Sequence, residues 1–429
     1  MAVADLSLPC RLLAGGGPST PDGRVLRALG LPLIGQFDPD FTRIMDEVMA
    51  MARPVFLTDN ARCFPVSGLA AAGLEALLNT LVEAGDRVAI GGGTRFVAET
   101  ADMAARLGAQ IQTIEEIAEH TRFVVVPLVD PTSGHVWPIE RLATQSHRLG
   151  ARLIVDATLG LGACELRIDE WGVDACSAGV DYALGAPAGM ALVTYSTELE
   201  ALMRSRQTPP RTSYLDLLQL QAYWSPERLN HHTAPTSLVY GLREALRLVH
   251  DEGLEQAWQR HQCIGQMLRD GLGALGLRVT GDGPFAMVHF AEEGQEAKVR
   301  RRLLGQFPPQ LRQQNFLVFL QLRVASENQF SAVGCRKMGV DHLDRSKLFQ
   351  HRPRGETTGQ LSQMPTQRYR QTISQESHKD VGFDPALFLV KDRAQQQIIL
   401  EVLEDRFDLH QLQIIFPQYF GIAARQVGA

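Results

Sequence analysis

From residue 12 to about 290, short apolar stretches alternate with longer amphipathic ones, and this alternation constrains the fold most. Arg87–Ile90 predicts a strand stopped by Gly91, Gly92 and Gly93. Phe96–Leu107 predicts a helix ended by Gly108. Phe123–Leu128 predicts a buried strand, and Ile139–Leu149 a helix. Leu153–Val155 is a further strand ending at Asp156, and Ala191–Tyr195 another. A helix is expected over Leu69–Val82, and strongly amphipathic ones over Thr236–Glu252 and Leu254–Asp270. Strands of four to six residues separated by helices of ten or more imply α/β architecture around a mostly parallel sheet. Leu277–Val279 and Phe285–Phe290 could open the strands of a second, smaller domain.

Beyond about 297 the text changes. Glutamine becomes frequent, Arg300–Arg302 cluster, and no periodicity holds from Asn328 to Glu376. Phe383–Val390 and Gln411–Phe416 could be strands, and Gln395–Phe407 a helix. An altered reading frame near 297 would produce such a change. The small C-terminal domain is therefore poorly defined. The expected division is an N-terminal arm (1–25), a large α/β domain (26–275) and an atypical small domain (276–429), partly disordered from about 300.

Charge excludes some partners. With 42 basic and 48 acidic residues, the net charge of −6 gives no cationic field for nucleic acid. No apolar run reaches the length of a membrane span, and no basic segment leads an apolar one at the N-terminus. The cytoplasm follows. The six cysteines (10, 63, 164, 176, 263, 335) form no CxxC pair, so no metal site is read there. His231 and His232 are also poor ligands, because adjacent histidines tend to point apart and no spaced third ligand accompanies them.

Four positions carry candidate chemistry. Ser67-Gly68 opens a helix whose free N–H groups suit a phosphate. Asp156 ends a parallel strand, where ligands bind in open α/β sheets, and could pair with a protonated ring nitrogen. Phe96 could stack on a planar ring. Thr233, in NHHTAP, precedes a helix start that could receive phosphate. In isolation, ordinary helix capping and core packing are the better explanation of each of these positions.

In succession, these motifs resemble the class V pyridoxal-phosphate aminotransferases, in the alanine–glyoxylate or serine–pyruvate branch. The opening loop is LLAGGGPST (Leu12–Thr20), followed by LIGQFDPDF and IMDEVM. The family's phosphate cup, SGSGHxALEA, corresponds to SGLAAAGLEA from Ser67, with Leu69–Gly73 altered. Its STG loop falls on Asp130–Gly134 and its ring-nitrogen aspartate on Asp156 in LIVDATLGLGA. The HHT segment, which in the family reaches the partner subunit's cofactor phosphate, falls on His231–Thr233. The likeness spans roughly 12–283. It implies a fold type I PLP-dependent transferase with a mostly parallel central sheet flanked by helices. It also implies a homodimer, an amino acid or 2-oxo acid ligand, and a cofactor-binding set of Ser67, Gly68, Leu69, Phe96, Asp156, Thr158 and Thr233.

The departures matter equally. The family holds its cofactor through a lysine in SGSQKALxAPPG; this chain reads SAGVDYALGAPAG (Ser177–Gly189), placing Tyr182 at the lysine position. There is no lysine before Lys298; the others are Lys337, Lys347, Lys379 and Lys391. The segment between Gln110 and Arg122 is shorter than in the family. The substrate-carboxylate arginine has no clear counterpart, Arg323 being the nearest imitation. A phenol, of ordinary pKa about 10, has no nitrogen with which to form an imine. The reading is an aminotransferase-like protein without ordinary transaminase chemistry that binds pyridoxal phosphate non-covalently. The alternatives are a working aminotransferase moving an amino group from serine or alanine to pyruvate or glyoxylate with a lysine from the C-terminal third, and a non-catalytic interaction protein that retains the dimer surface.

Overall fold

The computed structural model describes residues 17–274 and 276–289. In chain order these form α1 (Gly23–Leu29), α2 (Pro39–Phe56), β1 (Cys63–Ser67), α3 (Ala70–Leu81), β2 (Arg87–Ile90), α4 (Thr94–Arg106), β3 (Gln110–Thr113) and β4 (Phe123–Pro127). There follow α5 (Ile139–Arg148), β5 (Arg152–Asp156), α6 (Ile168–Trp171), β6 (Ala175–Gly179), β7 (Met190–Tyr195), α7 (Thr197–Arg204) and α8 (Leu217–Trp224). The last elements are α9 (Thr236–Glu252), α10 (Leu254–Ala274), β8 (Arg278–Thr280) and β9 (Met287–His289).

Seven strands make one sheet in the order β1-β7-β6-β5-β4-β2-β3. β2 through β6 pair in parallel, whereas β7 runs antiparallel to both of its neighbours, β1 and β6. β1 therefore points the same way as the parallel strands. β4, β6 and β7 are buried along their whole length, as expected where helices cover both faces. Val124, Val125 and Val126 are fully buried, each contributing about 1.5–3 kcal/mol of apolar burial. The edge strand β3 is short and mostly exposed, with Gln110 and Gln112 blunting it.

Capping divides the helices. Asp22, Asp38, Ser196 and Asp216 cap α1, α2, α7 and α8 with side-chain oxygens that accept backbone N–H groups. α3 and α4, which follow the carboxyl ends of β1 and β2, begin at Leu69 and Gly93 without any side-chain cap. Their N-terminal amides are left to a ligand or to solvent.

The expected elements form, β2 and α9 with the expected ends and the others with ends shifted by at most four residues, and the second small strand is Met287–His289. β1, β3, β6, α7 and α8 were not anticipated. β6 (ACSAG) is too poor in branched residues to announce itself, and it is a strand because it is buried between β5 and β7. The elements expected in 383–416, the five lysines and Arg323 lie outside the described residues.

Close packing behind the phosphate-cup region depends on Gly73. A Cβ there would lie 2.9 Å from Ala191 Cβ and 3.2 Å from Ser177 Cβ, so α3 sits hard against β6 and β7. Gly73→Val should lower stability by about 1–3 kcal/mol, read as a fall in the urea midpoint. An unchanged midpoint would mean that α3 is free to move off the sheet.

Candidate active site

The parallel strands deliver their carboxyl ends to one edge. Ser67, Ile90, Asp156 and Gly179 close β1, β2, β5 and β6 there. The chain winds outward from β2 to β3 in one direction and from β4 to β5 in the other, so β2 and β4 flank a topological switch point. Open α/β sheets bind ligands in the crevice at such a point. The loops after these two strands meet: Gly93 faces Thr132 and Asp130, and Asp130 Oδ1 accepts the Thr132 and Ser133 N–H groups at 2.8 Å each. Phe96 lies under this junction, 8 % exposed, against Gly92 and Pro127. Its ring is thus part of the core as well as of the crevice wall.

Asp156 stands at the end of β5, half-buried. Its Oδ1 accepts the Thr158 N–H at 2.8 Å, and the Thr158 hydroxyl oxygen accepts the Gly179 N–H at 3.1 Å. Thr158 thereby ties the end of β5 to the end of β6. Burial pushes the Asp156 carboxyl above its ordinary range, while the Thr158 hydroxyl and amide pull it back. Among the described residues no cation pairs with it. The donor that would satisfy this carboxylate is one supplied by a ligand, such as a protonated ring nitrogen.

The turn from β1 into α3 forms the cup. Gly68 has φ +152°, and a Cβ there would lie 2.6 Å from Ala72 Cβ, so only glycine fits. The Gly68 N–H donates to the Gly189 carbonyl at 2.9 Å, and Leu69 projects into solvent at 67 % exposure. The expected phosphate donors here reduce to backbone amides and Ser67. The Ser67 Oγ lies 3.1 Å from His232 Nε2; His232 Nδ1 lies 3.0 Å from His231 Nδ1; His231 Nε2 lies 3.0 Å from the Ser213 carbonyl. A carbonyl can only accept, so His231 Nε2 carries a proton. With both rings neutral, His232 Nδ1–H donates to His231 and the Ser67 hydroxyl donates to His232. Burial and the neighbouring His231 push the His232 pKa down, which favours this neutral chain. The two rings do not point apart as their adjacency suggested, because a bend at His232 turns them onto one another and onto Tyr214 and Tyr223.

Tyr182 lies in the turn after β6. Its ring covers Gly17, whose Cβ position would fall 2.4 Å from Tyr182 Cε1. Ser19 Oγ–H donates to the Tyr182 carbonyl at 2.6 Å, and the Ser19 N–H to the Asp181 carbonyl at 2.8 Å. The segment Gly17–Ser19 thus clamps this turn. Burial pushes the Tyr182 phenol up, and the charges of Asp181 and Asp156 push it further, with Arg95 opposing. Tyr182 therefore shares the electrostatic environment of Asp156. Thr233 does not join the group: it is exposed and lines a surface groove with Leu33–Gln36 and Ala234–Leu238. Asp181, Ser19 and Tyr214 (whose hydroxyl donates to the Ser67 carbonyl at 3.3 Å) were not anticipated as neighbours of the site. They arrive from segments distant in sequence, Ser19 from before α1 and Tyr214 from between α7 and α8.

Residues 99–284 match the family model "Aminotransferase class-V". The chain is 35% identical over 341 residues to (S)-ureidoglycine–glyoxylate transaminase of Bacillus subtilis (strain 168), covering 71% of this chain and 82% of that relative. The chain belongs to the class-V aminotransferase family. Alanine–glyoxylate aminotransferase of Oryctolagus cuniculus is 32% identical over 292 residues, 64% of this chain and 74% of its own length. Among solved structures, ureidoglycine–glyoxylate aminotransferase from Bacillus subtilis superposes with a TM-score of 0.67 at 34% identity, covering 71% of this chain and 84% of that one. Alanine–glyoxylate aminotransferase from Nostoc sp. gives 0.68 at 32% identity, covering 72% and 87%. The sheet and its flanking helices are therefore those of PLP-dependent fold type I, and class-V membership implies pyridoxal phosphate as the cofactor. Among the described residues no helix is long and apolar enough to cross a membrane, and no cluster of three or more His, Cys, Asp or Glu could hold a metal.

The shift at Asp156 sets a pH dependence. Its raised pKa means the folded chain holds this proton more tightly than the unfolded one. The associated stability is full below the ordinary aspartate value of about 3.9 and is lost as pH rises through the folded value. Asp156→Asn keeps an acceptor for Thr158 and removes the charge. The ligand-free variant should have a higher urea midpoint than the wild type at pH 7, with the gain vanishing below about pH 4. A loss of stability at pH 7 would mean that the carboxylate already has a counter-charge.

Proposed function

We propose that this chain is an aminotransferase-like protein that holds pyridoxal phosphate without a covalent bond and lacks ordinary transaminase activity. The observation that carries this reading is Tyr182, in the turn between Asp156 and the Gly17 loop, together with the absence of lysine from residues 1–297. The donor set fits the cofactor's ring. Asp156 is a half-buried acceptor with no cation paired to it among the described residues, suited to a protonated ring nitrogen. The uncapped amides at the start of α3 are what the chain offers the cofactor's phosphate, the Ser67 hydroxyl being engaged by His232. Phe96 and Gly92 would wall the ring. The donor set does not fit a covalent link, since the turn offers a phenol.

Bound pyridoxal phosphate would supply an electron sink for bonds at an amino acid's α-carbon. The side chains set how far that is used. Asp156 would keep a ring nitrogen protonated. Tyr182 would hold its own proton at Oη, because burial and two carboxylates raise its pKa. It would then be a poor base at neutral pH, and a positioned general base accounts for about 10²–10⁴ in rate. On this reading Thr233, exposed in the groove beside Leu33, would serve the cofactor of a second copy of the chain in a homodimer. The same reading assigns residues 26–275 to one large domain.

Absorbance titration with pyridoxal phosphate should show saturable binding to the full chain. Alanine or serine with glyoxylate or pyruvate should give no turnover above the free-cofactor rate. Tyr182→Lys should then retain a pyridoxyl group on that residue after borohydride reduction. A folded variant that binds the cofactor yet carries no such group would remove Tyr182 from the lysine position. Rapid turnover by the unaltered chain would favour an active transaminase instead.

A further inference from the structure

Asp181 immediately precedes Tyr182, where the aligned family motif SGSQKALxAPPG has glutamine. Its carboxylate turns back toward the cup. The Cβ that Gly179 lacks would lie 3.0 Å from Asp181 Oδ1, 3.0 Å from Thr158 Cγ2 and 2.7 Å from the Cβ of Ala70, the first residue of α3. Asp181, the threonine that supports Asp156 and the first turn of α3 thus converge on one bare stretch of backbone. The turn is fixed, because Ser19 donates to the carbonyl oxygens of both Asp181 and Tyr182.

The charges around this point do not favour a phosphate dianion. One helix end supplies the equivalent of about half a positive charge. A full carboxylate beside it outweighs that. Among the described residues Asp181 has no cationic partner: burial raises its pKa and only its own amide lowers it. The cation felt by Tyr182, Arg95, is exposed and bonded to Glu99 at 2.8 Å. His232 is held neutral, and the Ser67 proton is directed to it. The remaining nearby groups, Asp156 and Tyr182, add no positive charge.

We infer that Asp181 is a specificity-determining residue of this crevice: its carboxylate opposes a phosphate at the start of α3, so the pocket takes a phosphate-free pyridine ligand better than its phosphate ester. This rests on the reading that the crevice accepts the cofactor's ring. It adds that the phosphate contributes little to holding it.

The test uses the full chain and two probes without an aldehyde, pyridoxamine and pyridoxamine 5'-phosphate, so that reaction with surface amines does not intervene. Dissociation constants are measured by calorimetry for the unaltered protein, Asp181→Asn and Asp181→Gln, with thermal melts to establish folding. The unaltered protein should bind pyridoxamine more tightly than its phosphate. Both variants should lower the ratio of phosphate-ester to free-amine dissociation constants by at least about tenfold, the effect of removing one like charge at short range. If both probes bind and the ratio does not move in either variant, the inference about Asp181 is overturned while the ring site stands. If neither probe binds any of the three proteins, the ring site falls and this inference falls with it.

Discussion

The site exists because β7 runs against its neighbours. β7 is antiparallel to both β1 and β6, and its register sets Met190 beside Ser67 and Ala191 beside Gly179. That pairing brings the carboxyl end of β1, early in the chain, level with the carboxyl end of β6, more than a hundred residues later. The cup at Gly68 and the turn at Tyr182 then open on the same edge as Asp156. Three glycines permit the close approach: Gly68 at the turn into α3, Gly73 where α3 meets the sheet, and Gly179 where Asp181, Thr158 and Ala70 converge. Side chains on any of them would separate the parts.

The family scaffold is retained, and on the proposed reading its chemical fittings have changed. Asp156 keeps the strand end, the Thr158 brace and the burial that suit a ring-nitrogen partner. The cup keeps its backbone geometry, but Leu69 and Ala70 bring no side-chain donors, and the Ser67 proton is engaged by His232. The turn after β6, which the proposed reading equates with the family's lysine turn, presents a phenol clamped against Gly17, with a carboxylate beside it. Each change alone would weaken a cofactor site. On the proposed reading, together they would remove the covalent anchor and weaken the electrostatic one, while leaving the ring's surroundings in place.

Much of the fold was legible in the sequence. Runs such as FVVVP and ARLIVD have the branched, apolar character of buried parallel strands, and the amphipathic period of Thr236–Glu252 fixes α9. β6 was not legible, since ACSAG has little strand propensity and its burial is imposed by neighbours. The site was legible only as separate residues. Asp156 could be placed at a strand end from local pattern. The convergence of Asp181 on Ala70, and of His232 on Ser67, depends on contacts over 100 residues or more that no local period encodes. The pairing of His231 with His232 ran against the expectation for adjacent side chains, because a bend replaces the regular backbone that the expectation assumed.

The decisive measurement is a peptide map of the full, unaltered chain after equilibration with pyridoxal phosphate and reduction by borohydride, at cofactor concentrations where absorbance reports binding. The expected result is bound cofactor with no specific pyridoxyl mass on any lysine. Stoichiometric pyridoxylation of Lys298, Lys337, Lys347, Lys379 or Lys391 would refute the assignment, since it would show that an amine from outside the described residues reaches the crevice that Tyr182 occupies.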